Sequence, residues 1–265
     1  MRPAVRFTVL VLLGLVAYLG FLVASLPAAQ AWRWAGDRLP VQAYGLSGTV
    51  WDGQAAVVLQ EGRRLEAVQW QLVPTRLLLG RLAANIQARL PDGRLRSEVT
   101  AAPGGRLTAR QLRLDMPAPA LLQWLGVTGL PVQVDGRLDA LLQELALEGQ
   151  RLLSADGLLS WHGAVVRFGN APLPLGDVAL RLEPATGGIN GTLSNQGAPI
   201  DLGGALRLTP DGRFVLDMAV QAQGEVDEDT RRAMTLLGIP ADGSQVKARL
   251  SGALDGTGLR LEPLR

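Results

Sequence analysis

The sequence predicts a mainly β protein: an N-terminal transmembrane helix followed by an elongated, twisted antiparallel β-meander. We expect the meander to be an open barrel or sandwich-like, with two short helices. Three observations lead to this fold class. Residues 7–26 form an uncharged apolar run, apolar and polar residues alternate along several later stretches, and Asp-Gly dipeptides separate many of them. Alternation with period two is typical of strands that bury one face and expose the other.

The apolar run at residues 7–26 predicts a membrane anchor. A helix of about 20 residues spans roughly 30 Å, the thickness of a bilayer core. A cleaved signal peptide is the alternative, because Ala29-Gln30-Ala31 resembles a cleavage site. The apolar core of a signal peptide usually has only about 7–15 residues, which favours a retained anchor. We therefore expect residues 1–6 in the cytoplasm, a juxtamembrane linker at 27–40, and a periplasmic β-rich domain at 41–265.

The β-meander is predicted from alternating stretches and from the turns between them. Apolar residues recur at every second position along residues 68–72, 82–90, 200–208 and 214–220. Asp-Gly tolerates the positive φ angles that tight hairpin turns require, so each such dipeptide predicts a turn. The dipeptides are Asp52-Gly53, Asp92-Gly93, Asp135-Gly136, Asp156-Gly157, Asp211-Gly212, Asp242-Gly243 and Asp255-Gly256.

Two segments depart from the alternation and predict short helices. Residues 119–125 carry leucines at helical spacing and stop before Gly126. Residues 227–237 begin with acidic residues and stop before Gly238, as helices commonly do. In the second helix we expect Met234, Leu236 and Leu237 to be buried.

The two helices also suggest that the domain consists of two related halves, residues 41–138 and 139–254. Each helix ends near a Leu-Gly pair and is followed by a strand that ends in Gly-x-Leu. The alternative is that any β-meander with glycine turns resembles itself.

The composition excludes several functional classes. The chain has no cysteine, so it has neither disulfides nor a thiolate metal site. The net charge is +2, and the basic residues are scattered singly among acidic ones. A nucleic-acid-binding surface would show a basic stripe interleaved with aromatic residues, which this sequence does not have.

The sequence predicts no catalytic, cofactor-binding or metal-binding residues. His162 is the only histidine, and we expect it at a hairpin turn. Ser154 and Ser160 lie near it, but the Gly-x-Ser-x-Gly elbow of a serine hydrolase is missing. We therefore expect that this protein is not an enzyme and binds no small-molecule substrate.

Other candidate residues have structural explanations. Asp227, Glu228 and Asp229 fit the N-terminus of a helix better than a calcium site. The glycine-rich stretch 187–191 is not followed by the lysine of a phosphate-binding loop. We expect Trp51 and Trp70 to be core residues rather than binding residues.

One segment, residues 45–55, is distinctive, reading Gly-Leu-Ser-Gly-Thr-Val-Trp-Asp-Gly-Gln-Ala. After it come Val68-x-Trp70-x-Leu72-x-Pro74 and further matching stretches at 157–161, 191–195, 203–212 and 236–243. Their order resembles the N protein family of bacterial type II secretion systems. The resemblance implies an inner-membrane accessory subunit with a periplasmic β-rich domain. It also implies contacts with other subunits of the inner-membrane platform, a role in exporting folded proteins across the outer membrane, and no catalytic residues.

A lipid-handling protein remains the alternative function. An anchored, curved antiparallel sheet with one apolar face resembles the groove of AsmA-like envelope proteins. A packed core with small helices favours the secretion subunit, whereas a continuous open apolar groove favours lipid handling.

Overall fold

The structure is a computed structural model. It describes residues 14–15, 18, 20–36, 41–60, 63–77, 79–90, 92–125, 132–149, 151–223, 227–236, 238–240, 242–254 and 260–264.

In the described N-terminal residues, helical backbone lies on both sides of Pro27. Residues 20–24 are helical, and helix α1 (Ala28–Ala35) follows Pro27 within the predicted juxtamembrane linker. In the part of the chain that the structure describes, no helix is both long enough and apolar enough to cross a membrane. Much of the predicted span at 7–26 lies outside the described residues, namely 7–13, 16–17 and 19.

The rest of the chain forms one 15-stranded antiparallel sheet, which confirms the prediction of a mainly β fold. Nearly every strand pairs with the strand before it, so the sheet is a meander. The strands are β1 (Gln42–Tyr44), β2 (Ser47–Gly48), β3 (Asp52–Gln60), β4 (Arg63–Leu72), β5 (Leu82–Leu90), β6 (Gly93–Ala101), β7 (Arg106–Pro117), β8 (Gln133–Glu148), β9 (Arg151–Phe168), β10 (Ala171–Ala185), β11 (Gly188–Gln196), β12 (Ile200–Leu208), β13 (Arg213–Ala222), β14 (Val246–Ala253) and β15 (Arg260–Leu264).

Three further helical segments interrupt the meander. The single turn α2 (Pro74–Leu77) connects β4 to β5, helix α3 (Ala118–Leu125) connects β7 to β8, and helix α4 (Glu228–Leu236) connects β13 to β14. Helices α3 and α4 lie where the sequence predicted them. The predicted boundary between two halves, at 138 and 139, falls inside β8, so the internal repeat stays a prediction.

The predicted alternation separates an apolar face of the sheet from a polar one. On β12, Ile200 and Leu208 are buried at opposite ends of the strand, whereas Asp201 and Arg207 are exposed. Strand β5 departs from the pattern at its first residue, because Leu82 is 46% exposed. Most apolar side chains of β4 and β13 are only half-buried, so the apolar face is incompletely covered along these strands.

The sheet coils around a core on its apolar face. One cluster joins side chains of five successive strands, β8 to β12, with Phe214 of β13 packed against it: Leu142, Ala155, Leu182, Ile189 and Leu208. The backbone N–H of Leu152 at the start of β9 donates to the carbonyl of Pro210, in the turn after β12, at 3.0 Å. In a flat sheet, β9 and β12 would be separated by three strand spacings, or about 14 Å. The hydrogen bond between Leu152 and Pro210 therefore requires strong coiling of the sheet.

Helix α4 covers the second core cluster. Asp227 caps it, because its carboxylate accepts from the Thr230 backbone N–H at 2.8 Å and from the Thr230 hydroxyl at 2.6 Å. Ala233 and Met234 are fully buried against β10, β12 and β13. The prediction that Leu236 is buried is wrong, since it is 66% exposed. Two residues beyond Met234, it points about 200° around the helix, away from the sheet. The predicted burial of Leu237 lies outside the described residues.

Some Asp-Gly dipeptides form the predicted turns. Asp92 and Gly212 take positive φ angles of 59° and 82° in the hairpins that join β5 to β6 and β12 to β13. Gly243, with a φ of 83°, lies in the turn before β14. Asp255-Gly256 lies outside the described residues.

Asp52-Gly53 closes the hairpin turn between β2 and β3, where the backbone N–H of Thr49 donates to the carbonyl of Asp52 at 2.8 Å. The prediction of a turn is wrong for two of the dipeptides, because Asp135-Gly136 lies in β8 and Asp156-Gly157 lies in β9. In β8 and β9 the glycines relieve crowding at register shifts instead of reversing the chain. Gly157 has a φ of 147°, and a Cβ there would overlap the carbonyl oxygen of Leu141 on the neighbouring strand.

We predict that Gly157→Ala destabilises the protein by about 1–3 kcal/mol, the usual cost of overpacking. Gly203→Ala is the matched control, because no atom lies within 4 Å of the added Cβ. Thermal unfolding followed by circular dichroism measures both variants. Equal melting temperatures would contradict the close approach between β8 and β9.

Candidate functional site

The N-terminal segment is tied to the start of the sheet at a junction formed by residues 49–51. The backbone N–H of Val50 donates to the carbonyl of Leu26 at 3.0 Å, and Pro27 forms a β-bridge with Thr49. The indole N–H of Trp51 donates to the carbonyl of Val23 at 2.8 Å. Three backbone positions at the end of the apolar run are therefore held against the sheet.

An apolar cavity of about 400 Å³ lies between α1 and the apolar face of the first strands. The wall on the α1 side includes Ala28 and Trp32, and the opposite wall includes Val58, Val68 and Ile86. Trp70 also lines the cavity, and its indole N–H is satisfied by the carbonyl of Val50 at 2.9 Å. A cavity of this lining favours a hydrocarbon group over a polar ligand.

Trp51 and Trp70, predicted as core residues, are both half-buried. Trp51 lies at the junction and Trp70 in the cavity wall, and each donates its indole N–H to a backbone carbonyl. Aromatic rings with a polar N–H commonly take such positions, where one end of the ring meets the core and the other a hydrogen-bond acceptor.

His162 lies in the middle of β9, so the prediction that it occupies a hairpin turn is wrong. The strand continues past it because β8 and β10 both pair with β9 on either side of this position. Its Nε2 lies 3.6 Å from Oδ2 of Asp139, and its Nδ1 lies 3.6 Å from Oδ1 of Asp177. The imidazole is exposed and bridges the polar side chains of two neighbouring strands.

The pKa of Asp177 lies below its ordinary value of 3.8, chiefly because the backbone N–H of Gly163 donates to its carboxylate. This hydrogen bond is 2.9 Å long. His162 lowers the pKa of Asp177 further, by a smaller amount. The Asp177 side chain is exposed, and the arrangement resembles a surface network that orients side chains across strands.

The other candidate residues of the sequence are separated in the fold. The acidic cluster begins α4, where Asp227 caps the helix and Asp229 pairs with Arg232 at 3.3 Å. The glycine-rich stretch 187–191 forms the turn between β10 and β11 and the start of β11. Among the described residues, no three His, Cys, Asp or Glu side chains come together in a way that could hold a metal ion.

Comparisons with known proteins assign the chain to a class of secretion components. Residues 40–249 match the family model of the type II secretion system (T2SS), protein N. The chain belongs to this family, whose members are structural components of a secretion system. As a member, the chain has an accessory role in type II secretion. It is a component of the cell envelope, and its partners are other secretion subunits.

The similarity extends over most of the chain. Type II secretion system protein N of Aeromonas hydrophila is 28% identical over 91% of this chain and 96% of the relative. The Vibrio cholerae protein of the same name is 26% identical over 74% of this chain and 78% of the relative. That of Klebsiella pneumoniae is 29% identical over 82% of this chain and 83% of the relative. No solved structure gives a significant match.

We predict that Trp51→Phe loosens the junction without unfolding the sheet. The change keeps an aromatic ring, although a smaller one, and removes the N–H donor to the Val23 carbonyl, whose hydrogen bond contributes about 1 kcal/mol. Hydrogen–deuterium exchange of the full chain in detergent should show faster exchange at residues 20–36 and unchanged exchange in β9. Tyr44→Phe is the control, since it removes a hydroxyl that donates to Oε1 of Gln42, away from residues 20–36. Unchanged exchange at residues 20–36 would contradict a structural role for the indole.

We predict that His162→Ala leaves secretion intact, because the imidazole lies in an exposed side-chain network on the polar face of the sheet. The titration midpoint of Asp177, followed by NMR, should stay below 3.8, since the Gly163 N–H still donates to it. Secretion of a reporter protein by a strain carrying the variant is the second measurement. Loss of secretion at an unchanged protein level would show that His162 has a functional role.

Proposed function

We propose that residues 7–26 anchor the chain in the inner membrane, with residues 1–6 in the cytoplasm, residues 27–40 as the juxtamembrane segment and residues 41–265 in the periplasm. The periplasmic domain binds other subunits of the inner-membrane platform and thereby supports the export of folded proteins across the outer membrane. The observation that carries the proposal is the junction, which ties residues 23–27 to the first strands of a domain belonging to the protein N family.

The side chains before the junction support the membrane anchor. Phe21, Leu22 and Val23 are 69%, 46% and 55% exposed, although they are large and apolar. Exposed apolar side chains on one continuous helical stretch are stable in lipid and costly in water. The junction places this stretch directly beside the sheet, so the domain would lie close to the membrane surface.

The two ends of the sheet support binding to other proteins. Strands β1 and β2 lie together along one edge of β3, and β15 forms the opposite end of the sheet. Edge strands carry unpaired backbone N–H and C=O groups on their outer side. An extended segment of another subunit adds to such an edge without needing an active site.

Lipid handling is the second candidate function, and the apolar cavity favours it. The cavity of about 400 Å³ lies next to the proposed anchor and is lined mainly by apolar groups. The core clusters under β8 to β13 and the cover of α4 favour the secretion subunit, because they fill the apolar face along that part of the sheet. The apolar cavity itself lies between α1 and the first strands.

We predict that alkaline phosphatase fused after Arg265 is active, because this enzyme folds correctly only in the periplasm. A cytoplasmic reporter fused at the same position should be inactive. An expressed but inactive phosphatase fusion, together with an active cytoplasmic reporter, would contradict the proposed topology.

We predict that the full chain, purified from envelope extracts in mild detergent, recovers other inner-membrane platform subunits of the secretion system. Lipids are extracted from the same sample and quantified. The control is a chain with residues 1–36 only, which keeps the anchor but lacks the sheet. Stoichiometric phospholipid without any secretion subunit would replace the assembly role with lipid handling.

A further inference from the structure

Four side chains form a continuous row across the polar face of the sheet. Arg113 on β7 pairs with Leu141 on β8, Leu141 pairs with Leu158 on β9, and Leu158 pairs with Arg181 on β10. Directly paired residues of antiparallel strands point to the same face. The row therefore places two leucines side by side between two arginines, and it continues past Arg113 to Arg96 on β6. Leu141 is 52% exposed.

The row forms the floor of a cleft of about 830 Å³. Two irregular residues lie beside it: Gln111 on β7 has a φ of 49°, and the register shifts at Gln143 on β8. Such bulges bend a strand and increase its local twist. Arg76 of α2 also lines the cleft, so the floor lies at the bottom of a concave surface instead of on a flat sheet.

The two arginines that flank the leucines differ in their ionic contacts from an arginine of the next row. Among the described residues, neither Arg113 nor Arg181 forms an ion pair, whereas Arg110 in the next row pairs with Glu144 at 3.2 Å. Leu141 is exposed and Leu158 is half-buried, so both leucines leave apolar surface in contact with water between the two guanidinium groups. A ligand that offers an apolar group to the leucines and a carboxylate to each arginine satisfies all four side chains.

The spacing of the row fits an extended peptide. Arg113 and Arg181 are three strands apart, which corresponds to about 14 Å at the usual strand spacing. Residues i and i+4 of an extended peptide are separated by about 13 Å, and residues i, i+2 and i+4 point to one side. Carboxylates at i and i+4 would reach the two arginines, and an apolar residue at i+2 would lie over Leu141 and Leu158.

We propose that this cleft binds an acidic, extended segment of a partner protein, with acidic residues at positions i and i+4 and an apolar residue at i+2. The proposal rests on the proposed function, because it assigns a site to the contacts with other secretion subunits. A membrane surface fits the cleft less well. A flat bilayer does not reach the concave floor of the cleft, whereas a single extended chain can enter it.

The test uses the full chain in detergent and a fluorescein-labelled peptide, Ser-Glu-Ser-Leu-Ser-Glu-Ser, with fluorescence anisotropy as the readout. We expect saturable binding that weakens as salt is added. Arg113→Gln and Arg181→Gln should each weaken binding about tenfold, the effect of losing one charge-assisted hydrogen bond. Leu141→Ser should also weaken it, and melting temperatures establish that the variants are folded.

Two matched controls separate this site from general charge attraction. The isomeric peptide Ser-Ser-Glu-Leu-Glu-Ser-Ser has the same composition, but its carboxylates lie about 7 Å apart in an extended chain. It should bind at least about tenfold more weakly, because it cannot reach both arginines. Arg89→Gln removes another arginine of the polar face, on β5 and outside the cleft, and should leave binding unchanged.

Several outcomes would overturn the proposal. They are equal binding of the two peptides, unchanged binding by both arginine variants, and no binding at millimolar peptide. Binding to phosphatidylglycerol vesicles that depends on Arg113 and Arg181 would assign the cleft to the membrane instead. If the chain still recovers platform subunits from envelope extracts while the peptide fails to bind, the cleft is wrongly assigned and the proposed function stands.

Discussion

Antiparallel pairing between successive strands is the interaction on which the whole structure depends. The chain has no cysteine, so no disulfide supports the fold. One sheet with a single apolar face also cannot bury that face unless the sheet coils or is covered. The structure uses both solutions. Strands β8 to β13 coil around Leu142, Ile189 and Leu208, while α4 covers the apolar face farther along the same strands.

The coiling gives the two faces of the sheet different roles. On the apolar face it packs the core, and a cavity lies between α1 and the first strands. On the polar face the same twist, increased by bulges at Gln111 and Gln143, produces a cleft. Trp124 of α3 stacks on Arg63 of β4 at 5.5 Å, which joins the connection after β7 to a strand much earlier in the meander. Tertiary contacts thus complement a pairing pattern that is local in sequence.

The sequence predicted those features that depend on local pattern. Alternation along β12 identified its buried face, and the acidic start and glycine stop identified α4 to within one residue at each end. Asp135-Gly136 and Asp156-Gly157 were misassigned because an Asp-Gly dipeptide suits a bulge as well as a turn. Only the pairing of β8 with β9 decides between them, and it also places His162 in mid-strand. Local pattern gave no sign of the Trp51 contact with Val23, because the two residues lie far apart in the chain. The row from Arg113 to Arg181 depends likewise on the register of four strands.

The order of the strands has a consequence for how the chain folds. Each strand from β4 to β15 adds to the one formed just before it, so no strand must wait for a distant segment to close the sheet. Proteins whose contacts are near in sequence avoid much of the loop-closure entropy that slows other β folds. A chain delivered N-terminus first could therefore grow its sheet strand by strand, starting from the junction at residues 49–51. Its stability would then resemble that of a repeat array, which is a sum of contributions from neighbouring units. Removal of β15 would therefore remove its pairing with β14 and leave the pairing of the preceding strands in place.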